Sequence, residues 1–198
     1  MEQALPSGGV LWRMLGAWAD LRGSMRAELD RDPSEGRLLF YVMLSGLIWF
    51  IGRHAVLVYG PLGPVISEDE FLGRVGSEFV AAVFMLTLFY YGMAVLGGAI
   101  ARAFGGTGDW RESRAATFWA ALVAAPVILA SELLSIIVAG LPGAIADTAL
   151  TLGKVALGWA LAQCIAEAHG FRSGLRVFIV IAGLVAIFVG AVYALRFL

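Results

Sequence analysis

The sequence predicts an all-α polytopic membrane protein, a five-helix transmembrane bundle preceded by a short N-terminal amphipathic helix. Three observations carry this. The chain is 60% hydrophobic and 15% charged, with a mean hydropathy of +0.85, outside the range of water-soluble domains. Five stretches reach the roughly 20 apolar residues that a helix needs to cross a hydrocarbon core about 30 Å thick. Basic residues are dense in every second connection between those stretches and sparse in the others.

The spans fall at about Leu38 to Tyr59, Phe79 to Ala101, Ala115 to Ala139, Leu150 to Ala168 and Leu175 to Leu195. Backbone groups in lipid must be satisfied within their own segment, so each span is read as a helix. Residues 1–36 then form a cytoplasmic segment and residues 37–198 the membrane domain. Arg13, Arg22, Arg26, Arg31 and Arg37 precede the first span, Arg102, Arg111 and Arg114 separate the second from the third, and Arg172 and Arg176 separate the fourth from the fifth. The other connections hold Arg53 and Arg74 or none, and the tail holds Arg196. Basic residues favour the cytoplasmic side, so the expected topology has a cytoplasmic N-terminus and a periplasmic C-terminus. The preference for Arg over Lys, with many Ala and Gly, suggests a GC-rich bacterial genome and therefore the inner membrane. Met1 to Gly9 lacks the basic start and apolar core of a signal peptide, so the N-terminus is expected to be retained.

In the N-terminal region Val10, Leu11, Met14, Leu15, Trp18, Leu21, Met25 and Leu29 recur at helical spacing with Arg13, Asp20 and Arg26 between them, the pattern of an amphipathic helix. Two placements suit it: the headgroup layer, where Trp12, Trp18 and the arginines would meet lipid, or the cytoplasmic face of the bundle itself. Asp32, Pro33 and Glu35 have the types and spacing of an N-cap, a first-turn proline and a returning glutamate at the start of the first span. Phe104-Gly105-Gly106-Thr107-Gly108 ends the second span, and Asp109-Trp110-Arg111-Glu112 is placed to cap the third, making a tight hairpin. These glycines lack the Lys-Ser/Thr ending and the preceding strand of a phosphate loop.

Composition also excludes. A net charge of −1 offers no field for nucleic acid. Cys164 is alone, and with His54 and His169 it forms no zinc-binding pattern. With no metal cluster, catalytic triad or nucleotide loop, neither an enzyme nor a cofactor is expected.

The stretches Asp32-Pro33-Ser34-Glu35-Gly36-Arg37, Ala101-Arg102-Ala103-Phe104-Gly105-Gly106-Thr107-Gly108-Asp109-Trp110 and Phe118-Trp119-Ala120-Ala121-Leu122-Val123-Ala124-Ala125-Pro126, with the five-span layout, resemble the bacterial branch of the Yip (Ypt-interacting protein) membrane proteins. The resemblance implies a cytosolic N-terminus, five transmembrane helices and, in eukaryotic relatives, association with Rab-type GTPases. This N-terminal region has no Asp-Leu-Tyr-Gly-Pro motif, and Tyr59-Gly60-Pro61 follows the first span instead.

Ionisable groups at membrane depth cost several kcal/mol unless paired or hydrated, so each needs a reason. Glu132 and Lys154 fall at similar depth in an antiparallel hairpin, which makes a direct pair the expectation. Gly158, Ala162 and Ala166 follow Lys154 at intervals of four and predict that it faces inward. Arg53, His54 and Glu78 lie near the outer ends of the first two spans, and all five residues are the candidate polar cluster. It is either a proton-responsive or headgroup-binding site, or an inert ion pair with snorkelling neighbours. Pro126 interrupts the third span and frees the carbonyl of Leu122.

The function expected is that of a non-enzymatic membrane organiser or adaptor of Yip type. Its partners are the lipid bilayer, proteins that meet the N-terminal helix, and copies of itself; the small-residue row Ala182, Ala186, Gly190 and Ala194 lets the fifth span meet the fourth or leaves each to another partner. The competing expectation is a small transporter or lipid-handling protein that uses the polar cluster.

Overall fold

The computed structural model describes residues 8–59, 68–139 and 143–195; residues 1–7 of the signal-peptide reading, Gly60, Pro61 and Arg196 lie outside them. In order come α1 (Val10–Gly16), a 3-10 turn (Ala17–Ala19), α2 (Leu21–Asp30), α3 (Glu35–Tyr59), α4 (Glu68–Val80), a π-helical stretch (Ala81–Met85), α5 (Leu86–Ala103), α6 (Trp110–Ile137), α7 (Gly143–Ala168) and α8 (Gly174–Leu195). Among the described residues there is no strand. Five helices are long and apolar enough to cross a membrane: α3, the run Asp69–Ala103 through α4 and α5, α6, α7 and α8.

The capping predictions hold at α6 and fail at α3. Asp109 accepts from the Glu112 amide at 2.7 Å while the Glu112 carboxylate accepts from the Asp109 amide at 2.7 Å, so α6 starts at Trp110, ahead of the apolar run that begins at Ala115. At α3 the cap is Ser34, whose hydroxyl accepts from the Arg37 amide at 3.3 Å. Asp32 adopts φ 50° and pairs with Arg111 instead. The second span likewise starts earlier than Phe79, because α4 continues the helix through charged residues that support one another, Arg74 and Glu78 at i,i+4 among them.

Both hairpin turns at the N-terminal end of the bundle use the same glycine geometry. After α5, Gly105 takes φ 87°, its amide bonds the Arg102 carbonyl and the Gly106 amide bonds the Ala101 carbonyl. After α7, Gly170 takes φ 70°, its amide bonds Glu167 and the Phe171 amide bonds Ala166.

The central helix is α6, buried on every side from Ala115 to Ala125. Parallel to it runs α3, with Arg111 paired to Asp32 and Arg114 to Glu35 at the same offset of 79 positions. That register persists upward, where Tyr41 meets Trp119 with ring centres 5.3 Å apart and Gly52 meets Glu132. Antiparallel to α6 runs α7, with His169 against Ser113 at one end and Gly153 against Ser131 at the other. The π-helical stretch packs on α3 so closely that a Cβ on Gly46 would fall 2.5 Å from the Ala82 carbonyl. Peripheral α8 packs on α7 through Trp159 and Phe178, and its residues from Ala182 to Leu195 are all exposed. The row Ala182, Ala186, Gly190 and Ala194 therefore lies on an exposed part of α8.

The N-terminal amphipathic helix predicted from periodicity is broken in two. Asp20, at φ −152° and ψ 90°, leaves helical space to accept from the Gly23 amide and caps α2. Met14, Ala17, Leu21 and Met25 are buried against the bundle, whereas Leu11, Trp12 and Leu15 face outward.

Candidate functional site

Two carboxylates hold the N-terminal segment against the bundle. Glu28 of α2 is fully buried and receives Arg13, Arg31 at 3.4 Å and the Tyr41 hydroxyl. Arg13 also donates to the Tyr41 oxygen at 3.3 Å and lies 5.6 Å from the centre of the Trp119 ring. Glu167, near the end of α7, has only 8% of its side chain exposed and receives Arg22 at 2.9 Å together with Arg26. Arg22 further donates to the carbonyls of Phe171 and Arg172 at 2.9 and 3.0 Å, two groups beyond the reach of the α7 ladder. Arg22 and Arg26 stand one helical turn apart on α2, which is why one carboxylate serves both.

Two indoles complete the dock. Trp119 donates to the Ser24 hydroxyl at 2.8 Å, and Trp18 donates to the Val123 carbonyl at 3.0 Å. Val123 is buried one residue beyond Leu122, whose carbonyl lost its helical donor to Pro126. Trp18 thus donates to the carbonyl next to the one that the proline leaves without a ladder donor. None of these partners was named as a site residue from the sequence. The available signal was the i,i+4 pair of arginines preceding a helix-terminal glutamate.

Beside the dock, His169 is buried beneath the glycine turn. Ser113 donates its hydroxyl hydrogen to the Asp109 carbonyl at 2.7 Å, so the contact of 3.1 Å between its oxygen and His169 Nε2 requires a proton on that nitrogen. Nδ1 then carries a bare lone pair with no hydrogen-bond partner among the described residues. Burial, reinforced by the charge of Arg102, holds the imidazole pKa below its usual 6.5.

At the far end of the bundle the five predicted residues do not converge. His54 lies 3.4 Å from Glu78, without hydrogen-bond geometry, and Arg74 reaches the other Glu78 oxygen at 3.3 Å. Phe50 stacks on His54 with ring centres 5.0 Å apart, and Phe71 approaches at 5.7 Å. Glu132 sits on another flank of α3, where Gly52 leaves it room; a Cβ there would fall 2.0 Å from Oε2. That oxygen has no hydrogen-bond partner among the described residues, and Glu132 is 8% exposed. Arg53, exposed between Gly52 and His54, is the cation whose charge acts on it.

Lys154 does not pair with Glu132 among the described residues. Gly153 turns toward Ser131 of α6, which leaves Lys154 exposed on the outer surface of α7. Similar depth did not give contact, because each helical residue rotates the side chain by about 100° and Glu132 points at α3. The small-residue stripe does not bring Lys154 inward either, since Gly158 faces Phe178 of α8, where an added Cβ would meet the ring at 3.4 Å.

This architecture agrees with a family model for the Yip1 domain, which matches residues 23–195. The chain belongs to the Yip1 family. The match to the Yip1 domain starts within α2, so α1 and the 3-10 turn precede it. No curated protein and no solved structure matches the chain.

Proposed function

We propose that this Yip1-family protein is a non-enzymatic membrane organiser or adaptor that acts through the surface formed by its docked N-terminal segment. The observation that supports this is the concentration of ion pairs on two buried carboxylates at that surface: Glu28 and Glu167 together bind four arginines of the N-terminal region. Buried pairs of this type cost desolvation energy and add little stability over apolar packing, so their value lies in holding one geometry. A fixed surface of that kind suits recognition by other proteins. The same arginines, with Arg102, Arg111, Arg114, Arg172 and Arg176, favour a cytoplasmic location for this end in a bacterial inner membrane, with the C-terminus periplasmic.

Affinity capture from membranes with the full chain and with a chain lacking residues 1–30 tests the reading. Proteins recovered only with the full chain support it. The unpartnered oxygen of Glu132 favours a second reading, transport or lipid handling. Solute flux or lipid flip by the pure protein in liposomes, abolished by Glu132→Ala, would establish that reading and displace the first.

A further inference from the structure

Peripheral α8 serves as a ruler for the bilayer. Of its residues from Gly174 to Leu195 only Gly174 is buried and only Arg176 is charged, and at about 1.5 Å per residue they measure roughly 33 Å, one hydrocarbon thickness. Gly174 lies against Gln163, where a Cβ would meet Oε1 at 2.2 Å. By the register that joins His169 to Ser113 and Gly153 to Ser131, Gln163 is level with Trp119 and Ala120 of α6. That level is the edge of the hydrocarbon on the N-terminal side. A second measure agrees: counted back about 30 Å from the far end of α6 at Ile137, the same edge falls near Phe118.

The N-terminal segment meets the bundle at this edge. Arg13 lies over Trp119, and Trp18 bonds Val123, about one turn farther toward the bilayer centre. On the opposite face of α1, Leu11, Trp12 and Leu15 are 62%, 77% and 54% exposed. They occupy one side of the helix by i,i+4 spacing, and α1 contains no acidic residue. Its basic residue, Arg13, is turned inward and neutralised by Glu28.

We infer that α1 is inserted at the boundary of headgroups and acyl chains in the leaflet on the N-terminal side, with Leu11, Trp12 and Leu15 in contact with lipid. The occupant of this apolar patch is the bilayer, because α1 and the turn after it meet α6 at the level where the exposed apolar length of α8 begins. One helix thus has two partners, protein through Met14 and lipid through Leu11, Trp12 and Leu15. This goes beyond the adaptor reading and stands or falls separately from it.

Spin labels on Leu15→Cys, Trp12→Cys and Arg26→Cys, each in the full chain with Cys164→Ala and reconstituted in phosphatidylethanolamine–phosphatidylglycerol vesicles, test the inference. The ratio of collisions with oxygen to collisions with a water-soluble nickel chelate reports depth. Positions 12 and 15 are expected to show a ratio several-fold above position 26, at about 5–10 Å below the phosphates. A ratio equal to that at position 26 would place the patch in water and overturn the inference. So would labels shielded from both reagents, which would mean a protein covers it. Because depth is read without any partner, failure of affinity capture leaves this result intact.

Discussion

The indole of Trp18 donates to the carbonyl of Val123 across 3.0 Å, tying the N-terminal segment to the part of α6 that Pro126 disturbs. Trp18→Phe keeps the ring and removes the donor at a cost of about 0.5–1.5 kcal/mol, because the Val127 amide remains the ladder partner of the Val123 carbonyl. With Pro126→Ala the N–H returns to the Leu122 carbonyl and not to Val123, so the cost of the same Trp18→Phe change is expected to stay the same within about 0.5 kcal/mol. Thermal unfolding of the four proteins of this double-mutant cycle in one detergent measures the coupling. Non-additive effects would show that the disturbance at the proline reaches the Val123 carbonyl.

Glu28 is the most consequential charge in the dock. Glu28→Ala leaves Arg13 and Arg31 facing a buried void, with an expected loss of about 3–5 kcal/mol, whereas Arg26→Ala, at an exposed guanidinium, should change stability by less than about 1 kcal/mol. Limited proteolysis within residues 8–34 reports the difference. Rapid cleavage is expected in Glu28→Ala alone.

The low pKa of His169 predicts acid sensitivity. Its folded-state value lies below 6.5, so the unfolded chain takes up the proton first. The stabilisation is complete above 6.5 and is lost as pH falls from there through the folded value, with a slope of at most about 1.4 kcal/mol per pH unit. His169→Gln has no proton to take up and should flatten this limb of the pH–stability curve. An unchanged limb in that variant would assign the acid sensitivity to other groups.

Separation of Glu132 from Lys154 predicts that Glu132→Gln and Lys154→Met act additively on stability, within about 0.5 kcal/mol. Gly52 and Glu132 should couple instead. Gly52→Ala puts a methyl group 2.0 Å from the carboxylate, with an expected cost of about 1–3 kcal/mol, and Glu132→Ala should relieve most of it. A cycle measured by unfolding in bicelles distinguishes the two pairings.

Part of this architecture was legible in the residues. The five spans follow from apolar length, and the start of α6 follows from the Asp109 and Glu112 box, because both signals act within a few residues of chain. Depth was legible too, which put Glu132 and Lys154 at similar levels. The direction each side chain faces was not, since a hydropathy pattern nearly uniform around a membrane helix does not mark its inward face. The break at Asp20 was hidden for a different reason: a side-chain cap competes locally with a periodicity that continues through it.

Sequence alone therefore determined that this chain lives in lipid, how many times it crosses, and where its basic residues gather. Only the tertiary structure decided that Glu28 and Glu167 anchor the N-terminal segment, that α6 is the central helix, and that Glu132 faces Gly52 while Lys154 faces outward. The reason is physical. Crossing a membrane is set by the solvation of one segment at a time, whereas partner choice depends on the relative rotation of helices far apart in the chain, which close packing alone selects.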